Sequence, residues 1–480
     1  MLTHSSPLTF LLLAPFDAAV FTSDPVPRCL TDNFYGIYGG QGIFRFQDPS
    51  CFSMQLSGSM ESGSFIPMSQ DVQQLVWVHE ASIDDSLKTS QHETDVYDFL
   101  QSLTTGKLAA GPDYMNQEIF SEYSSEPIFE LLHSTPTSAL FSTSREFALK
   151  VDRILPPFWK SALLPASPVS FIPIPAPAAD HVKSLLKSLK FDPVISSIVN
   201  SISFPQMKND IRFLTGEDGI SGIVSRHSFS AGSRVAANWL LQRFEDTGAK
   251  CELRPFLDGF APNVVCRYAS SVDTNATVLI SGHYDSRGSF GYQRAPGGND
   301  DGSGVTALLA IARTIARRGI TFRTNVELVA FAGEEQGLLG SKAYAREMYD
   351  ADANITLMIQ ADMLAYHAPF EAPQLGLPLS IGSTDVAQLV GNISEIYSPE
   401  LTVGFTPACC SDHQSFFELG FPSTQVFERA GPIADPMYHN SGDLSERSGY
   451  DMHQVRSIAK VQFATLLHAS GFDLSEDDLQ

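Results

Sequence analysis

The chain has little positive charge to offer. Its 31 lysines and arginines stand against 54 aspartates and glutamates, a net charge of −23 with histidine neutral. A surface of that sign repels phosphate backbones and anionic lipid headgroups, which excludes nucleic-acid binding and polybasic membrane attachment. The chain also lacks an uninterrupted apolar run approaching the ~20 residues that cross a bilayer, so no membrane insertion is expected. No Lys or Arg precedes the short apolar run Leu8–Pro15. Residues 1–20 are therefore a weak candidate leader without the usual basic head.

Long polar low-complexity tracts and fixed-period repeats are missing too, and charged residues make up only 18% against 43% hydrophobic. A disordered or fibrous protein is excluded by that balance. At 480 residues the chain exceeds what one hydrophobic core usually fills, so two folded units are expected.

The six cysteines, at 29, 51, 251, 266, 409 and 410, form no CxxC pair, which argues against a structural zinc knuckle or a thioredoxin-like centre and for disulfides. Cys251 and Cys266 flank ELRPFLDGFAPNVV, read as a hairpin whose strand ends bring them together; Cys29 with Cys51 is a second candidate pair. Vicinal Cys409 and Cys410 can join only through a distorted peptide, which keeps partners elsewhere open. Glycosylation sequons at Asn275, Asn354 and Asn392 point the same way, to an oxidising secretory route. The expectation is a glycoprotein that is secreted or held in a secretory-pathway lumen, a vacuole included.

Residues 21–154 mix aromatic strand-like segments (FYGIYGGQGIFRF, QQLVWVHEA) with a helical stretch near TDVYDFLQSL, and read as a separate N-terminal α+β unit without a chemical constellation. Three roles stay open for it: a cleaved pro-segment, a substrate-recognition domain or an unrelated fusion. The proline-rich passage 155–179 follows; repeated prolines fix φ and remove donors, as in an extended linker. From residue 180 onward helical and strand patterns alternate. HVKSLLKSLKF and SRVAANWLLQRFEDTG space apolar residues three and four apart, whereas ATVLISGH, RTNVELVAFAG, TLMIQADM and STQVFER are short β-branched runs. Such alternation predicts an α/β unit over 180–480, doubly wound around a mostly parallel sheet.

Strand ends in that unit carry metal-type ligands. His283 and Asp285 close one strand, Asp300 and Asp301 precede a helix, Glu334 and Glu335 follow a second strand, Asp362 follows a third, and His439 stands further on. Read singly, each has an ordinary use: a satisfied core histidine, a solvated acidic turn, a helix cap. Their recurrence at strand ends among glycines favours convergence, because the carboxyl ends of parallel strands form the ligand crevice of an open α/β sheet.

The series GHYDS, PGGNDDGSG, AGEEQGLLGS, QADM, CSDHQSF and MYHNSGD resembles, in order and approximate spacing, the M28 family of zinc exopeptidases, over about residues 190–480. The resemblance implies a central mixed sheet flanked by helices and two zinc ions sharing a carboxylate. It implies His283 and Asp362 on one ion, Glu335 and His439 on the other, Asp300 between them and Glu334 as general base. Asp285 would orient His283, and Asp301 would support the loop. The implied activity is that of a leucine aminopeptidase-like enzyme, acting on peptides or proteins with a free N-terminus.

Related members include carboxypeptidases, for which Arg287 and Arg294 would be candidate carboxylate partners. They also include one-zinc glutaminyl cyclases, which lack the DDGSG-like loop, and receptor-like members that have lost ligands; here all five ligands and the base are present. One departure stands out. Where two-zinc aminopeptidases of this type often have Cys-Gly-Tyr-x-Cys-Ser-Asp-His, this chain reads TPACCSDH, with Ala408 at the tyrosine that stabilises the oxyanion. Tyr366 and Tyr438 are alternative donors, although core packing is the commoner use of such aromatics.

Overall fold

The computed structural model describes residues 9–22, 28–46, 62–68, 73–105, 129–288, 294–408 and 410–474. By internal contacts the chain divides into two units, one of residues 1–81 and 88–173, the other of residues 82–87 and 174–480.

The first unit is β-rich. Two four-stranded antiparallel sheets run in the orders Phe34–Tyr38, Gln41–Phe46, Thr9–Pro15, Ser64–Met68 and Glu130–Thr135, Ser138–Thr143, Gln74–Glu80, Trp159–Leu163. In the strand Gln74–Glu80 the period-two alternation splits the apolar side chains between two cores. Val76 and Val78 join Phe99, Phe141 and Trp159, while Leu75 and Trp77 join Leu11, Leu13 and Ile43. The apolar run near the N-terminus is thus a strand with partners on both sides. Passage 155–179, read above as an extended linker, contains the sheet strand Trp159–Leu163 and the first turn of the helix Ala176–Ser188. Its prolines fall outside the strand or in the first turn of the helix, where no ladder donor is needed.

The second unit is built on a six-stranded mixed sheet, in the order Ser423–Val426, Asn354–Ala361, Ala276–His283, Asn325–Phe331, Asn263–Tyr268, Lys250–Arg254. The first four strands are mutually parallel, and Asn263–Tyr268 runs antiparallel to its neighbour on each side, matching the expected mixed, mostly parallel sheet. Val278, Leu279 and Ile280 on the central strand are fully buried, each burial stabilising by about 1.5–3 kcal/mol. An acid at Ile280 would break this core. Helices Gly302–Arg317 and Met452–Ser470 pack on the central strand and on each other. Cys251 and Cys266 are cross-strand partners joined by a disulfide, as their spacing suggested. Cys29 and Cys410 each take part in a disulfide; Cys51 and Cys409, named above as candidate partners, lie outside the described residues. Among the described residues no helix is long and apolar enough to cross a membrane.

The parallel register fixes where the chemistry gathers. His283 pairs with Phe331, and Ser281 with Gln360. The residues that follow these strands, Glu334 and Glu335 on one side and Asp362 on the other, therefore emerge at the same edge as His283.

Candidate metal centre

Two groups of three ligand-type side chains, all buried, form at this edge: His283 with Glu334 and Asp362, and Asp300 with Glu335 and His439. Asp300 stands between them. Its Oδ1 is 3.1 Å from Nε2 of His283 and its Oδ2 is 3.2 Å from Nε2 of His439. Asp362 Oδ1 lies 3.6 Å from the His283 nitrogen, and Glu335 Oε2 lies 3.0 Å from that of His439. The six residues that the sequence singled out for ligands and base are thus brought together. Glu334 groups with His283 and Asp362 in this arrangement, although the sequence reading gave it the role of base.

Each side chain has a structural reason for its place. His283 is fully buried at its strand end; its backbone N–H donates to Asp301 Oδ2 at 3.0 Å, and its Nδ1 lies 3.2 Å from the Asp285 carbonyl and 3.5 Å from the Asp285 carboxylate. An acceptor at Nδ1 leaves Nε2 for a metal ion. Asp285 also accepts the backbone N–H groups of Glu334 and Glu335, both at 3.3 Å, and the Ser228 hydroxyl at 3.0 Å. One carboxylate therefore ties the first histidine to the turn that carries both glutamates.

Asp301 caps the helix Gly302–Arg317 and does more than cap it. Its Oδ1 accepts the N–H groups of Gly304 and Met363, at 2.9 and 3.1 Å. A Cβ on Gly304 would lie 2.5 Å from that carboxylate and 2.6 Å from the Ala361 carbonyl, so only glycine lets helix and strand approach so closely. The Asp300–Asp301 peptide is cis.

Charge is crowded here. Burial by itself would lower the His283 pKa, but hydrogen bonding to Asp285, Asp300 and Asp362 reverses this and holds it well above its usual 6.5. Burial likewise works against ionised Asp300, yet the two histidines hold its pKa below the usual carboxylate range. Glu335 shows the opposite balance. Burial first, then repulsion from Asp300, push it well above 4.5. Buried carboxylates in this density ask for a cation. Glu335 Oε1 is buried without a hydrogen-bond partner among the described residues. Imidazole nitrogen and carboxylate oxygen form a donor set that suits zinc or a similar divalent ion.

Other residues were not singled out by the sequence. Arg226, fully buried, donates to the backbone carbonyls of Tyr284, Leu214, Pro296 and Gly297, and so supports the loop leading to Asp300 from below. Asp443, Asp435 and Arg447 form a buried ionic group beside Asn299. Arg287 is buried with its Nη1 2.7 Å from His439 Nδ1, whereas Arg294 is exposed. Tyr438 is buried and stacked on the His439 ring at 3.7 Å between centroids. Tyr366 is partly buried, with the Arg447 guanidinium 5.7 Å above its ring.

Comparison with known proteins places these features in a context. The model of Peptidase family M28 matches residues 263–464. Leucine aminopeptidase 1 of Sclerotinia sclerotiorum is 29% identical over 247 residues, covering 47% of this chain and 63% of that protein. Leucine aminopeptidase 1 of Metarhizium robertsii is 27% identical over 290 residues, covering 57% and 68%. The match thus spans about two thirds of these relatives' length. Among solved structures, the Legionella pneumophila LapA aminopeptidase superimposes with a TM-score of 0.55 at 16% identity, over 74% of this chain and 96% of its own. LapB from the same organism gives 0.56 at 16% identity, over 83% and 100%. At these identities the structural likeness is one of fold.

Proposed function

With residues 263–464 forming a domain of Peptidase family M28, we propose that the chain is a zinc-dependent aminopeptidase that removes the first residue of peptides or proteins with a free N-terminus. The observation that carries this reading is the carboxylate of Asp300, set between His283 and His439 with one oxygen towards each. A carboxylate so placed can be shared by two zinc ions, one held with His283 and Asp362, the other with Glu335 and His439.

Two zinc ions in these positions would polarise the scissile carbonyl, bring a bound water's pKa towards neutrality and accept the substrate's α-amino group. The remaining work falls to the chain. Glu334, buried at the same edge, takes the proton of the attacking water on its carboxylate and passes it to the departing amine nitrogen. Asp285 supports both halves of that arrangement, through the His283 ring and through the backbone of Glu334. Arg287 is engaged with His439, which weighs against its use as a clamp for a substrate carboxylate and against the carboxypeptidase reading.

A leucine-like preference is the reading drawn from the relatives' names. The disulfide and the exposed sequon residues Asn275 and Asn354 support maturation in an oxidising secretory compartment. The test is hydrolysis of matched peptides with free and acetylated N-termini, with and without chelator. Cleavage of the free forms alone, abolished by chelator and restored by zinc, is expected. Release of C-terminal residues from both forms would replace this reading with a carboxypeptidase, and no hydrolysis of either would point to a receptor-like member.

A further inference from the structure

Three successive backbone N–H groups of the loop that carries Asp300 donate to a single residue. Gly298 N–H reaches the Asp443 carbonyl at 2.6 Å, Asn299 N–H reaches both Asp443 carboxylate oxygens at 2.9 and 3.0 Å, and Asp300 N–H reaches Oδ2 at 3.0 Å. The approach is close enough that a Cβ on Gly298 would lie 2.8 Å from the Asp443 carbonyl oxygen. Asp443 is 1% exposed and is itself held: Arg447 Nη2 donates to its Oδ1 at 3.0 Å and also to Asp435. Asp435 in turn receives the side-chain amide of Asn299 at 2.8 Å. Asp443 also lies four residues after His439, on a stretch tightened by the hydrogen bonds Asn440 N–H to Met437 and Asp443 N–H to Asn440, both 3.0 Å.

We propose that Asp443 is a positioning residue for Asp300, fixed in turn by Arg447, so that one buried network sets the shared carboxylate for both metal groups. This rests on Asp300 being shared by two zinc ions, as argued above. The backbone of Asp300 cannot shift without breaking bonds to Asp443, and Asp443 cannot rotate without losing its bond from Arg447. An asparagine at 443 has the same shape but only one acceptor oxygen; its NH2 group would face donors from the 299–300 backbone or from Arg447.

The experiment is a zinc titration of the full chain, wild type against Asp443→Asn, by competition with a chromophoric chelator, with melting temperature recorded in parallel. Outer partners of metal ligands typically contribute about 10–100-fold in affinity. A loss of that size at both sites together is expected for Asp443→Asn, whereas Glu335→Gln weakens one site. Unchanged affinity at both sites with a lowered melting temperature would reduce Asp443 to a structural residue and overturn the proposal. A loss confined to one site would also overturn it, by routing the effect through the His439 stretch. If Asp443→Asn does not fold, Arg447→Lys is titrated instead, with a smaller loss expected at both sites and unchanged affinity counting against the proposal. A wild type that binds fewer than two zinc ions would instead refute the underlying two-ion reading.

Discussion

Asp301 takes the backbone N–H of His283 on its Oδ2 at 3.0 Å. Its other oxygen accepts Gly304 and Met363, so one buried carboxylate closes a strand end, a helix start and the Asp362 turn together. Asp301→Ala would orphan three buried donors, at about 1–3 kcal/mol each and less than additively. A loss on the order of 3–5 kcal/mol in urea unfolding is expected, and a smaller one for Asp301→Asn, which keeps one acceptor. Equal losses for the two variants would contradict this account.

The two histidines differ in what stands behind them. His283 Nδ1 has the carbonyl and carboxylate of Asp285 as neighbours, while His439 Nδ1 faces the Arg287 guanidinium. An acceptor behind the ring raises a histidine's ligand strength, and a cation does the reverse. Under the proposed two-zinc assignment, the ion at Glu335 and His439 should therefore be the first lost to chelator. In His439→Ala one zinc should remain with near wild-type affinity, whereas in His283→Ala the remaining zinc should be the weaker one, both read by metal analysis after graded dialysis. The reverse ranking would refute the assignment.

Stability should carry a pH signature from Glu217. Burial works against its charge, but hydrogen bonds from Ser445, Thr215 and the Glu446 backbone outweigh it and lower its pKa below 4.5. A carboxyl depressed on folding contributes stability above its unfolded pKa and loses it as pH falls through the folded value. Glu217→Gln should accordingly be less stable than wild type at neutral pH, with the gap closing below about pH 4. A gap that stays constant down to pH 3 would show that shape, not charge, is at work.

The Cys251–Cys266 disulfide closes a loop of sequence separation 15 on the edge strand pair, for which chain-entropy arguments give about 3 kcal/mol. The double serine variant should lose stability of that order, seen in urea unfolding, while turnover per folded molecule is unchanged. A change in zinc affinity would connect this edge to the metal centre, contrary to expectation.

The parts of the site that could be read from sequence were those whose residue types recur at strand ends: His283, Asp300, Glu334, Glu335 and Asp362 each close or follow a β-branched run or sit in a glycine-rich loop, whereas His439 lies on an irregular stretch and was singled out by the family resemblance. Strand and helix periodicity likewise gave the mostly parallel sheet, its mixed character followed from the resemblance, and the flanks of one hairpin gave one disulfide. Asp443, Asp435, Arg447 and Arg226 were not legible. They lie in irregular segments, and Asn299, which Asp443 and Asp435 hold, is more than a hundred residues away in sequence, so no local pattern distinguishes these charges from solvated ones. Passage 155–179 misled in a related way: its prolines announce an extended chain, but whether an extended chain is a linker or a sheet strand depends on a neighbour, here Gln74–Glu80.

Glu334 decides the central claim, because it stands within reach of His283 and Asp362 and is assigned to proton transfer, not to a metal ion. The direct measurement is zinc content and peptide turnover of Glu334→Gln beside wild type. A base that leaves the metal alone predicts two zinc ions in both proteins and a turnover about 10²–10⁴-fold lower in the variant. Loss of a zinc ion from Glu334→Gln, or turnover within tenfold of wild type, would contradict the account.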